Sequence, residues 1–140
     1  MLYIAADHNG FWLKEELKRY LAKHKILCKD LGAPAYKKND DYPDYGAKLA
    51  RRMQANDLGI LICGSGHGMV ITANKIKGIR AALATTVFSA RKAREDDHAN
   101  ILVLSAWETN VELAKRIVAR WLSTKPSRAA RHLRRIKKIS

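Results

Sequence analysis

The spacing of apolar residues along this chain switches repeatedly between two periods. LYIAAD (2–7) is a short, mostly apolar run that stops at Asp7-His8-Asn9-Gly10, and Phe11, Lys14, Leu17 and Leu21 then recur every three or four positions. That pattern predicts strand, loop and helix. KILCKDLG (25–32) predicts a second strand, and APAYKKNDDYP (33–43) a polar, proline-containing loop. From Tyr45 to about Asn56 the positions of Ala47, Ala50 and Met53 suit a helix packed on a sheet. DLGILIC (57–63) is the strongest strand, since a continuous apolar run implies burial on both faces. Beyond it the pattern predicts a helix over 69–75, a strand at IRAALA (79–84), a helix over 88–96, a strand at NILVLS (100–105) and a helix at VELAKRIVARWL (111–122). A basic helix over 125–140 ends the chain.

Strands alternating with helices predict a three-layer α/β domain with a mainly parallel, five-stranded sheet. At 140 residues the whole of 1–140 fits one domain. In such sheets ligands collect beyond the carboxyl ends of the strands, which makes Asp7-His8 and Cys63 to Gly68 joint candidates for one site. No apolar run approaches the roughly 18 residues needed to span a bilayer, and MLYIAADHNG lacks the basic leader of a signal peptide, so a cytoplasmic protein with no membrane partner is expected. Cys28 and Cys63 are then expected to be free thiols.

The stretch LICGSGHGMV (61–70) carries the chemistry. Glycines at 64, 66 and 68 allow positive φ angles and close approach of backbone to ligand, and a helix starting nearby aims free N–H groups at an anion. A tight connection alone would need similar glycines. The spacing is not the dinucleotide fingerprint, which needs a further glycine three residues after its second, nor the nucleophile elbow, because Ser65 directly follows Gly64. Cys63, at a strand end beside a nest of N–H groups, is expected to have its pKa lowered and to act as base or nucleophile. Cys28 reads as structural, and His67 as a loop residue lining the site.

Charge adds a partner class. The chain carries 27 Lys and Arg against 13 Asp and Glu, net +14, and seven of the basic residues fall in KPSRAARHLRRIKKIS (125–140), which has no acid. Such a tail suggests a polyanionic or phosphorylated partner. As a helix it would align Arg128, Arg131, Arg135 and Lys138 in one stripe and pack through Ala129, Leu133 and Ile136. No helix-turn-helix, zinc spacing or aromatic platform accompanies the charge, so nucleic acid is not the expected partner.

Asp7-His8-x-Gly10, Asp41-Tyr42-Pro43, ILICGSGHGMVITANKIKGIRAAL (60–83) and Arg131-His132 followed by Arg135 together resemble the ribose-5-phosphate isomerase type B family, which includes galactose-6-phosphate isomerase subunits. The similarity runs in order along nearly the whole chain. It implies a Rossmann-like fold and an aldose–ketose isomerase of a phosphorylated sugar, without metal or other cofactor. It also implies a homodimer, or a tetramer of paired dimers, with active sites between subunits. By position, Cys63 would move the proton between C1 and C2, Ser65 would assist, and the amides of residues 64 to 68, Gly64, Gly66, His67 and Gly68 among them, would hold the enediolate oxygens. Asp7 would bind sugar hydroxyls, Tyr42 would lie beside the sugar, and His8, Arg131 and Arg135 would hold the phosphate.

Two stretches depart from that family. Typical members carry His-Asn-Asp-x-Asn before the last core strand, whereas this chain has REDDHAN (94–100), which places Asp96 and Asp97 at the His and Asn positions, His98 two residues late, and Asn100 in register. Asp96, its pKa raised by burial or by Asp97, or else His98, would open the sugar ring. In LSAWETN (104–110), Trp107 stands where some members have a phosphate-binding arginine. The alternatives are a phosphosugar-binding or regulatory homologue with little turnover, and an isomerase of a different pentose or hexose phosphate.

Overall fold

The computed structural model describes residues 1–140, with eleven elements in chain order. These are β1 (Leu2–Ala6), α1 (Phe11–Lys23), β2 (Cys28–Asp30), α2 (Tyr42–Arg52), β3 (Leu58–Cys63), α3 (His67–Asn74), β4 (Ala81–Leu83), α4 (Val87–Asp97), β5 (Ile101–Ser105), α5 (Val111–Ser123) and α6 (Ala130–Ile139). All strand pairs are parallel, in the order β2-β1-β3-β5-β4. The predicted three-layer α/β architecture is therefore the observed one. From β1 the chain crosses to β2 on one side and then back to β3 on the other, so the order reverses between β1 and β3. That reversal opens a crevice at the carboxyl ends of these two strands.

The period of two in the strands divides the core. Leu2, Ile4, Ile60, Ile62, Leu102 and Leu104 face α1, α4 and α5, where Leu17, Leu21, Ala90, Ile117 and Trp121 complete one layer. Tyr3, Ala5, Leu61, Cys63, Ile101 and Val103 face α2 and α3, against Leu49, Ala50, Met69 and Ala73. Cys63 thus belongs to the α2/α3 face and is buried there.

Several boundaries differ from expectation, each for a local reason. Helix α2 begins at Tyr42 rather than Tyr45, because Pro43 fits the first turn and Asp41 takes the extended N-cap conformation. Helix α3 begins at His67, just after Gly66 in the left-handed region (φ 88°). The tail is helical only from Ala130, and its packed face keeps two of the three predicted residues. Leu133 is 44% exposed, while His132 turns inward beside half-buried Ala129 and Ile136. Helix α6 rests on the polar end of α4, where His132 Nδ1 lies 2.7 Å from Ser127 Oγ and Nε2 lies 3.8 Å from Asp96. An imidazole suits that seat better than a leucine.

One charged residue lies fully inside. Lys14, on the inward stripe of α1, is 0% exposed and donates to Asp30 (2.6 Å) and to the Ala33 carbonyl (3.3 Å). Lys18 donates to the same carboxylate at 2.9 Å. Burial pushes the Asp30 pKa up, but Lys14, Lys18 and the Gly32 N–H outweigh it and hold the carboxyl below its ordinary range. The network ties α1 to β2 and to the loop that follows it. Asp30→Ala leaves Lys14 buried without its closest partner, and urea unfolding should show a loss of about 3 kcal/mol. Because the folded pKa is depressed, the parent's advantage over the variant should be full above the ordinary carboxylate pKa of about 4 and shrink as the pH falls through it.

Candidate active site

The site is built where β1 and β3 end side by side. The Asp7 N–H continues the ladder to the Ile62 carbonyl (3.3 Å), and the Asp7 carboxylate accepts N–H bonds from Asn9 (3.0 Å) and Gly10 (3.2 Å). A side chain at Gly10 would meet Ile62 at 2.6–2.8 Å, so only glycine lets the turn lie on β3. Burial raises the Asp7 pKa, against the pull of the two N–H groups and of His8. His8 is held by Asp40, whose Oδ1 accepts the His8 N–H at 2.8 Å and lies 2.8 Å from the ring Nδ1. This latch closes the long polar loop over the end of β1. Asp7, His8 and Asp40 place one potential metal ligand each within 4.8 Å, yet hydrogen bonds among themselves and to the turn already account for their meeting.

Beside them, β3 ends at Cys63 and the glycine loop turns into α3. Gly66 takes the positive φ, and a side chain there would strike Leu83. The N–H groups of Met69, Gly66 and Gly68 point at the Cys63 sulfur. The expectation of a lowered thiol pKa is nevertheless overturned. Cys63 is 4% exposed, and burial, helped by the Asp7 charge, raises its pKa more than the three N–H groups lower it. Ser65 Oγ accepts the His67 N–H at 3.2 Å and caps the start of α3, with the His67 ring exposed. Two aromatic rings flank the loop. Trp107, 71% exposed, lies against Gly64, and Tyr42 lies against Gly68.

The loop is held from outside by residues that the sequence reading missed. The Cys63 carbonyl accepts the Ala106 N–H (2.9 Å), and the Gly64 carbonyl accepts both the Trp107 N–H (3.1 Å) and the buried Ser105 hydroxyl (2.7 Å). A serine closing the apolar run ILVLS was the signal for Ser105. For Asp40 it was only the second acid beside Asp41-Tyr42-Pro43.

The remaining candidates lie at the other end of the sheet. Cys63 pairs in register with Ser105 and Gly59 with Ile101, so Asn100, which precedes β5, sits five residues, or about 16 Å, below Cys63. Asn100 receives the Arg80 N–H (2.7 Å) and donates to the Gly78 carbonyl (2.9 Å), so its amide clamps the turn before β4. Asp96 accepts from Lys92 at 3.0 Å, which lowers its pKa rather than raising it, with His132 and Arg131 adding to the effect. His98 lies just past α4 in the left-handed region (φ 51°), with Nε2 2.7 Å from the Ser127 carbonyl. Asp97, near this same end, and Arg131 and Arg135, on α6, are exposed. One chain therefore joins Asp7, His8, Tyr42 and residues 63–68, and separately Asp96 to Asn100 with the tail.

Compared with known proteins, residues 2–139 match the ribose/galactose isomerase family. The chain belongs to this family. It is 35% identical over 136 residues to the ribose-5-phosphate isomerase B of Escherichia coli, covering 96% of this chain and 90% of the relative. The crystal structure of ribose-5-phosphate isomerase B from Mycoplasma genitalium with bound ribulose-5-phosphate superposes with a TM-score of 0.93 at 40% identity, covering 99% of this chain and 92% of the other. That from Thermotoga maritima gives 0.93 at 46% identity, covering 99% and 95%. In this family member the thiol should behave as its burial dictates. Cys63 alkylation, followed by peptide mass spectrometry, should inflect above the ordinary thiol range, and Asp7→Asn should move that inflection down. Cys28, pushed up to about 11 by burial and then by Asp30, should react later still.

Proposed function

We propose that the protein is a metal-independent aldose–ketose isomerase that interconverts ribose 5-phosphate and ribulose 5-phosphate in the cytoplasm. The observation that carries this reading is the convergence of the Cys63 thiol, three backbone N–H groups and the Asp7 carboxyl at the β1/β3 crevice. The relatives named above act on the same pair of sugars or hold one of them, which supports the substrate. No helix is long and apolar enough to cross a membrane.

In this mechanism the Cys63 thiolate removes the proton from C2 of the open-chain aldose, and negative charge passes to the carbonyl oxygen. The resulting enediolate is met by the amides of the glycine loop, already turned toward it, so little reorganisation is needed as charge develops. The thiol then returns the proton to C1 while the hydroxyl proton on O2 passes to O1, which leaves the carbonyl at C2. A raised pKa lowers the thiolate fraction at neutral pH but makes the thiolate that forms a stronger base, as proton abstraction from carbon requires. Asp7 takes sugar hydroxyls, Ser65 assists the transfer, Tyr42, Gly64 and His67 line the sugar, and His8 takes the phosphate.

Phosphate binding by Arg131 and Arg135, and ring opening by Asp96 or His98 beside Asp97 and Asn100, require a second copy of the chain. They lie on the opposite rim from Cys63, so the working unit is a homodimer whose sites combine one rim from each copy. Exposed Ile71, Phe88 and Ile139 supply apolar surface for such a contact. A second reading, a phosphosugar-binding homologue with little turnover, is favoured by the ionised state in which Lys92 holds Asp96, which suits it poorly as a general acid.

An assay of ribose 5-phosphate in deuterated water decides between them, since turnover through an enediolate places deuterium at C1 of the ketose and, on reversal, at C2 of the recovered aldose. Cys63→Ala should abolish that exchange while inorganic phosphate still binds, and exchange at the parent rate would reject the assignment. Mixing Cys63→Ala with Arg131→Ala, each expected to have little activity alone, should restore about a quarter of the parent rate. Half the random dimers are hybrid, and each hybrid has one intact site of two. No recovery after subunit exchange, with hybrids verified by mass, would remove the shared-site arrangement.

A further inference from the structure

A second concave feature lies on the rim opposite Cys63. A cleft of about 590 Å³ opens at the amino ends of β3 and β5, and Lys77, Arg80, Arg94, His98, Asn100 and Asp57 are among its walls. Its chemistry is one-sided. The Asp57 carboxylate is already occupied by the amino group of Met1 (3.0 Å) and the Gln54 N–H (2.8 Å). Neither Arg80 nor Arg94 has a carboxylate within 4.0 Å. Both are half-buried, and burial together with the Arg80 charge lowers the Arg94 pKa.

These guanidiniums are also prevented from swinging apart. Arg80 Nε donates to the His98 carbonyl at 3.1 Å. One terminal nitrogen of Arg94 donates to the Ala99 carbonyl at 3.0 Å, and its guanidinium carbon stands 5.7 Å from the Trp121 ring centroid. Arginine offers five N–H donors, so most of those on each side chain remain free for a ligand. Two like charges are thus fixed side by side in a recess with donors to spare, an arrangement that an oxyanion relieves by neutralising both. The volume of the cleft is in the range of small-molecule sites, and its half-buried charges differ from the exposed stripe that a long polyanion would track.

We infer that this cleft is a second anion site, in which Arg80 and Arg94 clasp the phosphate group of a small phosphorylated metabolite with Lys77 at the mouth. His98 and Asn100 at its edge also belong to the proposed isomerase site, but Arg80 and Arg94, which hold the phosphate, take no part in that reading. Both arginines hold carbonyls of the segment 98–99, so an occupant also stiffens the chain between α4 and β5, including the left-handed His98.

The test uses inorganic phosphate as probe, titrated at constant ionic strength against chloride into the nitrogen-15-labelled full chain. The nuclear magnetic resonance signals to follow are the Arg80 and Arg94 Nε–H groups and the amides of Ala99 and Asn100. Phosphate should move them saturably and chloride should not. The response should persist in His8→Ala and weaken about tenfold or more in Arg94→Gln, as loss of a charge-assisted contact implies. Absence of a saturable response in the parent chain would overturn the proposal, whatever the variants do. So would an equal response to chloride, or loss of the response in His8→Ala, which would return the anion to the crevice beside Cys63.

Discussion

Three hydrogen bonds from the end of β5 to the end of β3 fix the geometry on which the site depends. Ala106 N–H, Trp107 N–H and the Ser105 hydroxyl occupy the carbonyls of Cys63 and Gly64. With both carbonyls turned toward β5, the N–H groups that follow have no strand partner, and the left-handed turn at Gly66 directs them back over the Cys63 sulfur. The loop is therefore an extension of the parallel ladder that reverses its polarity. A buried hydroxyl at Ser105 is well placed for this, because it satisfies a carbonyl that the ladder alone would leave with one bond.

The same packing that makes the loop rigid works against ionising the thiol. Cys63 belongs to the apolar layer under α2 and α3, and its burial outweighs three N–H groups. For an acid–base group, the role proposed for Cys63, this is a workable compromise. A thiol with an ordinary or lowered pKa would be ionised more often but would hold a carbon-bound proton less well, and the N–H groups are worth more to an oxyanion that forms later than to a resting sulfur. Asp7 adds negative charge to the same crevice and discourages premature ionisation.

What the sequence disclosed, and what it hid, follows from the range of each interaction. Strand and helix periods, the glycines and the two strand-end motifs are local, and they place Asp7, His8 and residues 63–68 on one rim without further information. Asp40 and Ser105 escape because each is an ordinary polar residue until its partner, 32 or 41 positions away, is brought beside it. The sign of the Cys63 shift needs the depth of burial, which depends on how two helices cover β3. The inward turn of His132 in place of Leu133 has the same origin, since an amphipathic pattern presumes an apolar seat and α6 rests on a polar one.

Strand polarity explains why the chain can diverge at one rim while keeping the other. Every helix between parallel strands runs back along the sheet, so α4 starts near the crevice level and ends at the opposite rim, carrying Asp96 to His98 with it. No hydrogen bond or ion pair links that end of α4 to the Cys63 loop within one chain. The side chain that stands at position 96 therefore leaves the amides around Cys63 where they are. Trp107 is different, because its backbone N–H holds the Gly64 carbonyl whatever its side chain. An indole there keeps the clamp while exchanging charge for a flat apolar wall against Gly64. Under the proposed function, substrate recognition at this position can change by side chain alone, while the backbone that positions the loop amides stays the same.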